Sequence, residues 1–345
     1  MAHNFQLISW NRQKKIYDTV LLCGVLIYIS SFIILAQVFF PFATIETCII
    51  RAFGTAALLL LHIILSIGPL CRLDKRFLPL LYNRRHMGVT MFFLASVHGL
   101  FSIIQFHAFG NLNPLLSVFL SNTHYSDLSN FPFETLGFLA LIILFFMAAT
   151  SHDFWLAKLS APVWKSLHMS VYLAYALIMA HVSLGALQSE GNPVFDTIVA
   201  LGFIWIITIH LLAAFREKTI DEMKRQAGIN GFIEVCSINE IPEKRAKVIC
   251  LGDERIAVFK YDGKVSAVSN VCVHQNGPLG EGKIINCRIV CPWHGYEYLP
   301  HDGTSPPPFT EKVATFKVTI IKDNIFVHPK ANPPGTMVEP AVIGK

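Results

Sequence analysis

Apolar residues fill the first two thirds of the chain in long blocks and the last third in short ones. Blocks at about 17–40, 46–70, 86–107, 133–150, 163–187 and 194–215 each approach the ~20 residues a helix needs to cross bilayer hydrocarbon. They predict six transmembrane helices, the fourth being the shortest. The first block follows Arg12, Lys14 and Lys15 in the manner of a signal peptide. It exceeds the roughly 7–15 apolar residues of a signal h-region, so it is read as a retained span. Residues 216–230 open with Arg216-Glu217-Lys218 and continue the last helix as a charged juxtamembrane linker. From Gly231 the texture changes to alternating or β-branched runs at 246–251, 256–261, 265–268 and 314–321, separated by Gly-Asp, Asp-Gly and Lys-Asp-Asn turns. The predicted fold class is a membrane all-α six-helix bundle over 17–215, preceded by a tail at 1–16, and an all-β antiparallel sandwich over 231–330. Residues 331–345, with Pro333-Pro334-Gly335, lack periodicity and are predicted to lie extended on the surface.

Composition agrees with two parts of different class. Hydrophobic residues make up 53% of the chain and charged residues 15%, against roughly 25% charge in a soluble domain. The net charge is +5, and Lys and Arg sit in clusters beside the apolar blocks rather than on an aromatic-interleaved basic face, which argues against nucleic acid as a partner. One set of connections holds 14 Lys and Arg (the N-terminal tail and the 71–85, 151–165 and 216–225 segments), while the opposite set offers only Arg51. The positive-inside rule therefore predicts a multi-pass membrane protein with both termini and the β domain in the cytoplasm. Eight cysteines spread over 345 residues do not form a disulfide-stapled framework, and metal ligation is the better use for some of them.

Cys272-Val273-His274 and, sixteen residues on, Cys291-Pro292-Trp293-His294 place two cysteines and two histidines in two tight loops. A two-iron cluster needs four ligands, and Cys-x-His with Cys-x-x-His lets two thiolates hold one iron and two imidazoles the other. Replacing thiolates by neutral imidazoles raises the potential to about −150 to +300 mV. A structural zinc site uses the same ligand types, although zinc sites usually pair Cys-x-x-Cys with His-x-His. Cys236, Cys250 and Cys287 are assigned to packing, as small buried hydrophobes. The block 271–281 with Cys291-Pro292-Trp293-His294-Gly295-Tyr296 resembles a Rieske [2Fe-2S] domain over roughly 231–330, closest to Rieske-type ferredoxins. The β part is thus expected to be a Rieske-type sandwich with Cys272, His274, Cys291 and His294 as cluster ligands.

An ionisable residue within a span is a functional candidate. His98 lies in the third block, and His168 and His181 in the fifth. Helical rise from the cytoplasmic ends places His98 about 18 Å deep, His181 about 25 Å and His168 about 6 Å. His98 and His181 form the better-matched bis-imidazole pair, leaving His168 for an inner site with His86 as its candidate partner. His62, His107 and His210 carry no motif. Arg84-Arg85-His86-Met87-Gly88 leading to His98, Thr150-Ser151, and Trp164-Lys165-Ser166-Leu167-His168 with Val171-Tyr172 leading to His181 resemble the ferric-reductase-like transmembrane family over roughly 45–215. They are similar to the heme-binding membrane subunit of the bacterial methionine sulfoxide reductase system. That resemblance implies one or two hemes b. It also leaves Arg84 where that family's inner histidine on the third helix is expected.

The chain carries neither a Gly-x-Gly-x-x-Gly fingerprint nor a P-loop. The expected function is transmembrane electron transfer between a cytoplasmic cluster and heme b, as an oxidoreductase component working with a redox partner protein (a reductase, ferredoxin or outer-side acceptor) or with quinone, in membrane lipid. The alternative is a membrane-tethered Rieske redox sensor or assembly subunit.

Overall fold

The computed structural model describes residues 12–151, 155, 159, 161–222, 231–251, 254–274, 276–293, 295–307 and 309–344. The chain divides into two compact units. Among described residues, one holds 12–68 and 83–210 and the other 69–82 and 211–344.

The first unit is helical. Its elements are α1 (Arg12–Phe39), most of α2 (Ile45–Leu73), α3 (Arg84–His107), α4 (Pro114–Leu120), α5 (Phe133–Ala149), α6 (Ala161–Met169), α7 (Val171–Val182) and the first half of α8 (Pro193–Glu222). Five described stretches are long and apolar enough to cross a membrane: Lys14–Phe39, Ile45–Leu73, Arg84–His107, Val163–Glu190 and Pro193–Asp221. The remaining expected span, α5, has 17 residues, about 26 Å of helix against a hydrocarbon core of about 30 Å. α5 packs against both α3 and α7. α1 turns Leu22, Leu26, Ile27, Ile34 and Leu35 outward, as a helix in lipid can. α4, which a 20-residue apolar pattern does not signal, starts from Asn113, whose side chain accepts from Leu115 N, with Pro114 at the first helical position. After His181 the helix widens into a π turn, Ser183–Leu187, and it ends at Gly191, whose φ of 56° gives a left-handed stop.

The second unit is mostly β and built from three antiparallel sheets. The largest is the meander β2 (Arg245–Leu251), β3 (Glu254–Tyr261) and β4 (Lys264–Ser269), to which β8 (Thr315–Phe316) and β11 (Ala341–Val342) add through β4. A second joins β1 (Ile233–Ser237), β10 (Asn324–Val327) and β9 (Val318–Ile321), and a third β5 (Lys283–Ile285), β6 (Arg288–Val290) and β7 (Glu297–Tyr298). Alternation along β3 buries Ile256 and Val258 with Phe316, Ile325 and Val327, and Ala257 and Phe259 with Leu279, Ile289 and Tyr298. The second cluster also holds Cys272 and Cys291. The tail joins the large sheet through β11, a two-residue strand too short to leave a periodic signature. Cys287 is exposed rather than packed: with Asn286 it forms the β5–β6 turn, both at positive φ (49° and 58°), as a two-residue hairpin of the right twist requires.

The same unit includes the ends of α2 and α8. Arg255 on β3 bonds both carboxylate oxygens of Asp221 (2.8 and 2.6 Å) and also Glu217, both on α8. Arg72 pairs with Glu281 at 3.5 Å, and Lys75 Nζ donates to Ala246 O at 3.4 Å.

Candidate functional site: two thiol–imidazole loops and a pair of membrane histidines

The two β-domain loops are built alike. In the first, Cys272 N donates to Gly277 O (2.9 Å) and Asn276 N to Cys272 O (2.7 Å). In the second, Cys291 N donates to Tyr296 O (2.8 Å) and Gly295 N to Cys291 O (2.9 Å). The fourth residue after each cysteine, Asn276 and Gly295, has positive φ (58° and 74°), which turns the chain back so that the loop closes on its own cysteine. Gly277 lies against the other loop: a Cβ there would stand 2.8 Å from Cys291 Sγ and 3.2 Å from the Trp293 ring.

Both thiols are sealed from solvent, Cys272 at 1% and Cys291 at 0% exposure. Burial lowers the pKa of His274 and so favours a neutral imidazole, the form that ligates metal. Strand β7 and its approach send two tyrosines to the donors of the first loop. The Tyr296 ring stacks on His274 (centroids 4.7 Å apart, planes 11°), and the Tyr298 hydroxyl meets Cys272 Sγ at 3.3 Å. Burial, then the Cys272 sulfur, pushes the Tyr298 hydroxyl far up, so it stays protonated as a donor. His294, the fourth donor read from the sequence, lies outside the described residues. No three His, Cys, Asp or Glu side chains form a complete metal site among those that are described. The three placed donors nevertheless fit a cluster in chemistry and burial.

In the helical unit the histidines sort by what their nitrogens do. His98 on α3 engages Ile50 O through Nδ1 (2.9 Å), and His181 on α7 engages Phe133 O the same way (2.8 Å). Each carbonyl thus fixes the tautomer and leaves Nε2 with its lone pair, the usual arrangement behind a metal-ligating imidazole. Each ring also lies in a notch made by a glycine four residues after its acceptor. A Cβ at Gly54 would fall 2.7 Å from His98 Nδ1, and one at Gly137 2.8 Å from His181 Nδ1. The two rings are neighbours, with centroids 6.2 Å apart and planes at 82°. Two imidazoles on opposite sides of one first-row metal, at bonds of about 2.0–2.1 Å, would have ring centres about 6.3 Å apart, so this spacing is compatible with His98 and His181 holding one heme iron between them.

His62 and His210 have both nitrogens engaged. His62 bonds Leu58 O and the Tyr175 hydroxyl, and His210 bonds Ile206 O and the Tyr172 hydroxyl. His107 bonds Ser117 Oγ. His168 bonds Trp164 O through Nδ1 and stacks on the Trp164 ring (3.8 Å), with Nε2 3.5 Å from Ser151 Oγ. His86 pairs through Nδ1 with Asp18 at 2.8 Å. No hydrogen bond or ring contact joins His168 to His86 among the described residues, whereas His98 and His181 are brought together. Gly54, Gly137 and Tyr298 go unmarked in the sequence reading, and Tyr296 enters it only as part of the second loop's motif. The two lone glycines inside apolar helices were the signal available for the notches.

Residues 231–317 match the Rieske [2Fe-2S] domain, and residues 51–179 match the ferric reductase like transmembrane component. The chain is 32% identical over 147 residues to the heme-binding subunit MsrQ of protein-methionine-sulfoxide reductase from Caulobacter vibrioides, covering 42% of this chain. It spans 64% of that relative's length, and 66% of the MsrQ from Herminiimonas arsenicoxydans. It is 30% identical over 95 residues to the 3-phenylpropionate/cinnamic acid dioxygenase ferredoxin subunit of Photorhabdus laumondii, covering 27% of this chain and 90% of that protein. Among solved structures, the ferredoxin of carbazole 1,9a-dioxygenase from Nocardioides aromaticivorans matches 29% of this chain and all of its own, at 21% identity and a TM-score of 0.28.

Proposed function

Because the chain belongs to the Rieske [2Fe-2S] family through residues 231–317 and to the ferric-reductase-like transmembrane family through residues 51–179, we propose that it is a transmembrane electron-transfer protein. It passes single electrons between a cytoplasmic Rieske cluster and membrane-embedded heme b, to or from a quinone or a redox partner protein. The observation that carries this reading is the neighbouring pair His98 and His181, each with Nδ1 committed to a carbonyl and Nε2 left over for iron.

Cluster and heme supply one-electron redox chemistry when bound. The chain supplies the rest. Cys272 and Cys291 would hold one iron of the cluster, His274 and His294 the other. Sealing of the thiols keeps water and larger oxidants from the sulfurs, and the Tyr298 hydroxyl gives Cys272 a hydrogen bond that strengthens as negative charge builds. Ile50 and Phe133 carbonyls hold the heme ligands in one tautomer, so no proton need move at those rings when an electron arrives. With α5 read as a sixth span, the Lys and Arg distribution supports a bacterial inner-membrane topology with both termini and the β domain cytoplasmic. The heme-binding role named for the MsrQ relatives supports heme b as the cofactor of the helical unit.

The test is a reduced-minus-oxidised optical spectrum with low-temperature EPR on detergent-purified protein. The expected result is a b-type α-band that His98→Ala abolishes, beside a Rieske EPR signal that it leaves intact. A cluster signal with no heme under heme-replete expression would overturn the reading.

A further inference from the structure

Tyr296 touches both cluster loops at once. Its carbonyl accepts from Cys291 N (2.8 Å) and closes the second loop, while its ring lies flat on His274 of the first. The ring is buried at 3% exposure, with Phe309 (centroids 4.8 Å) and Tyr298 (5.4 Å) tilted against it. Its hydroxyl donates to Glu311 Oε2, the same oxygen that accepts from Thr310 N at 3.0 Å. The carboxylate is thus anchored to its own backbone and holds the far end of the ring.

We propose that Tyr296 and Glu311 are positioning residues for the cluster: Glu311 fixes the Tyr296 ring, the ring fixes the plane of His274, and the Glu311 charge holds the reduction potential down. The proposal rests on the reading of these loops as the cluster site. Three physical facts support it. An imidazole ligand rotates about its bonds unless something fixes its plane, and a flat aromatic face does so without competing for its nitrogens. A fixed negative charge near a redox centre favours the oxidised, more positive state, and low local dielectric enlarges the effect. The carboxylate is placed to act through one ring, because its oxygen already bonds the hydroxyl of the residue that covers His274.

The experiment is an EPR-monitored redox titration of the full chain in detergent, with iron and sulfide measured per chain, for the wild type, Glu311→Gln, Glu311→Asp and Tyr296→Phe. Glu311→Gln is expected to keep its iron and to shift the midpoint potential upward, with Glu311→Asp returning it toward wild type. Tyr296→Phe is expected to keep the stack, lose the anchor and change the g-values or broaden their lines. Wild-type potential and line shape in both Glu311→Gln and Tyr296→Phe, at full iron content, would overturn the proposal and leave Tyr296 as packing alone. Should Tyr296→Phe lose iron, the potential of Glu311→Gln decides by itself. Absence of a Rieske signal in the wild type would instead sink the reading of the loops, a distinct result.

Discussion

Substituting alanine for Gly54 or Gly137 tests the proposed heme site without replacing either histidine. At Gly54 the new methyl would stand 2.7 Å from His98 Nδ1, and at Gly137 2.8 Å from His181 Nδ1 and Cε1, distances that Cβ atoms do not tolerate. The ring must give way, and the ring is also what Ile50 O or Phe133 O holds. Losing that hydrogen bond costs about 0.5–1.5 kcal/mol, and overpacking a close contact about 1–3 kcal/mol. Together these weaken heme binding by roughly 10- to 1000-fold. The helices themselves should not suffer, since alanine is the better helix former by about 1 kcal/mol. Heme per chain, by pyridine hemochromogen after expression at limiting heme, is the assay. Two further glycines serve as controls. Gly202→Ala strikes His62 Nε2 at 2.9 Å, a histidine with both nitrogens occupied, and Gly88→Ala meets nothing within 4 Å. Both are expected to keep wild-type heme. Wild-type heme in Gly54→Ala and Gly137→Ala refutes the notch, and an equal loss in Gly202→Ala assigns the effect to general packing.

Three other outcomes are expected. His62→Ala, His210→Ala and His168→Ala retain the α-band that His181→Ala loses, which optical spectra of the purified variants check; a halved band in His168→Ala would reveal an inner heme. Tyr298→Phe removes the donor to Cys272 Sγ, and because that hydrogen bond favours the reduced cluster by about 1 kcal/mol, the midpoint potential falls by roughly 40 mV in an EPR titration. Arg255→Ala removes three hydrogen bonds to half-exposed carboxylates, lowering stability of the β domain by about 1 kcal/mol in a thermal melt, with a smaller difference at high salt.

The sequence shows some of these features directly and hides others for physical reasons. Long apolar blocks announce spans because a bilayer demands some twenty residues, and α5 falls below that threshold only by length. Cys272-x-His274 and Cys291-x-x-His294 stand out because metal chemistry restricts the residue types. The nearness of His98 and His181 agrees with the depths expected along two helices, but depth supplies one coordinate and leaves rotation open, so it says nothing of the Nδ1 partners of His168 (Trp164) and His86 (Asp18). The acceptors behind His98 and His181 are backbone carbonyls of Ile50 and Phe133, and a carbonyl has no letter in a sequence. The Tyr296 and Glu311 contact joins residues fifteen apart across a loop, with no local period to reveal it.

The attachment of Arg255, Arg72 and Lys75 to helix ends bears on how portable the β domain is. Its compact unit is assembled from separate stretches of chain, 69–82 and the described residues from Leu211 onward. Cutting at Gly231, where the sequence changes texture, separates Arg255 from Asp221 and Glu217 and Glu281 from Arg72. A graft of this domain onto another membrane anchor would therefore have to carry its helix ends with it.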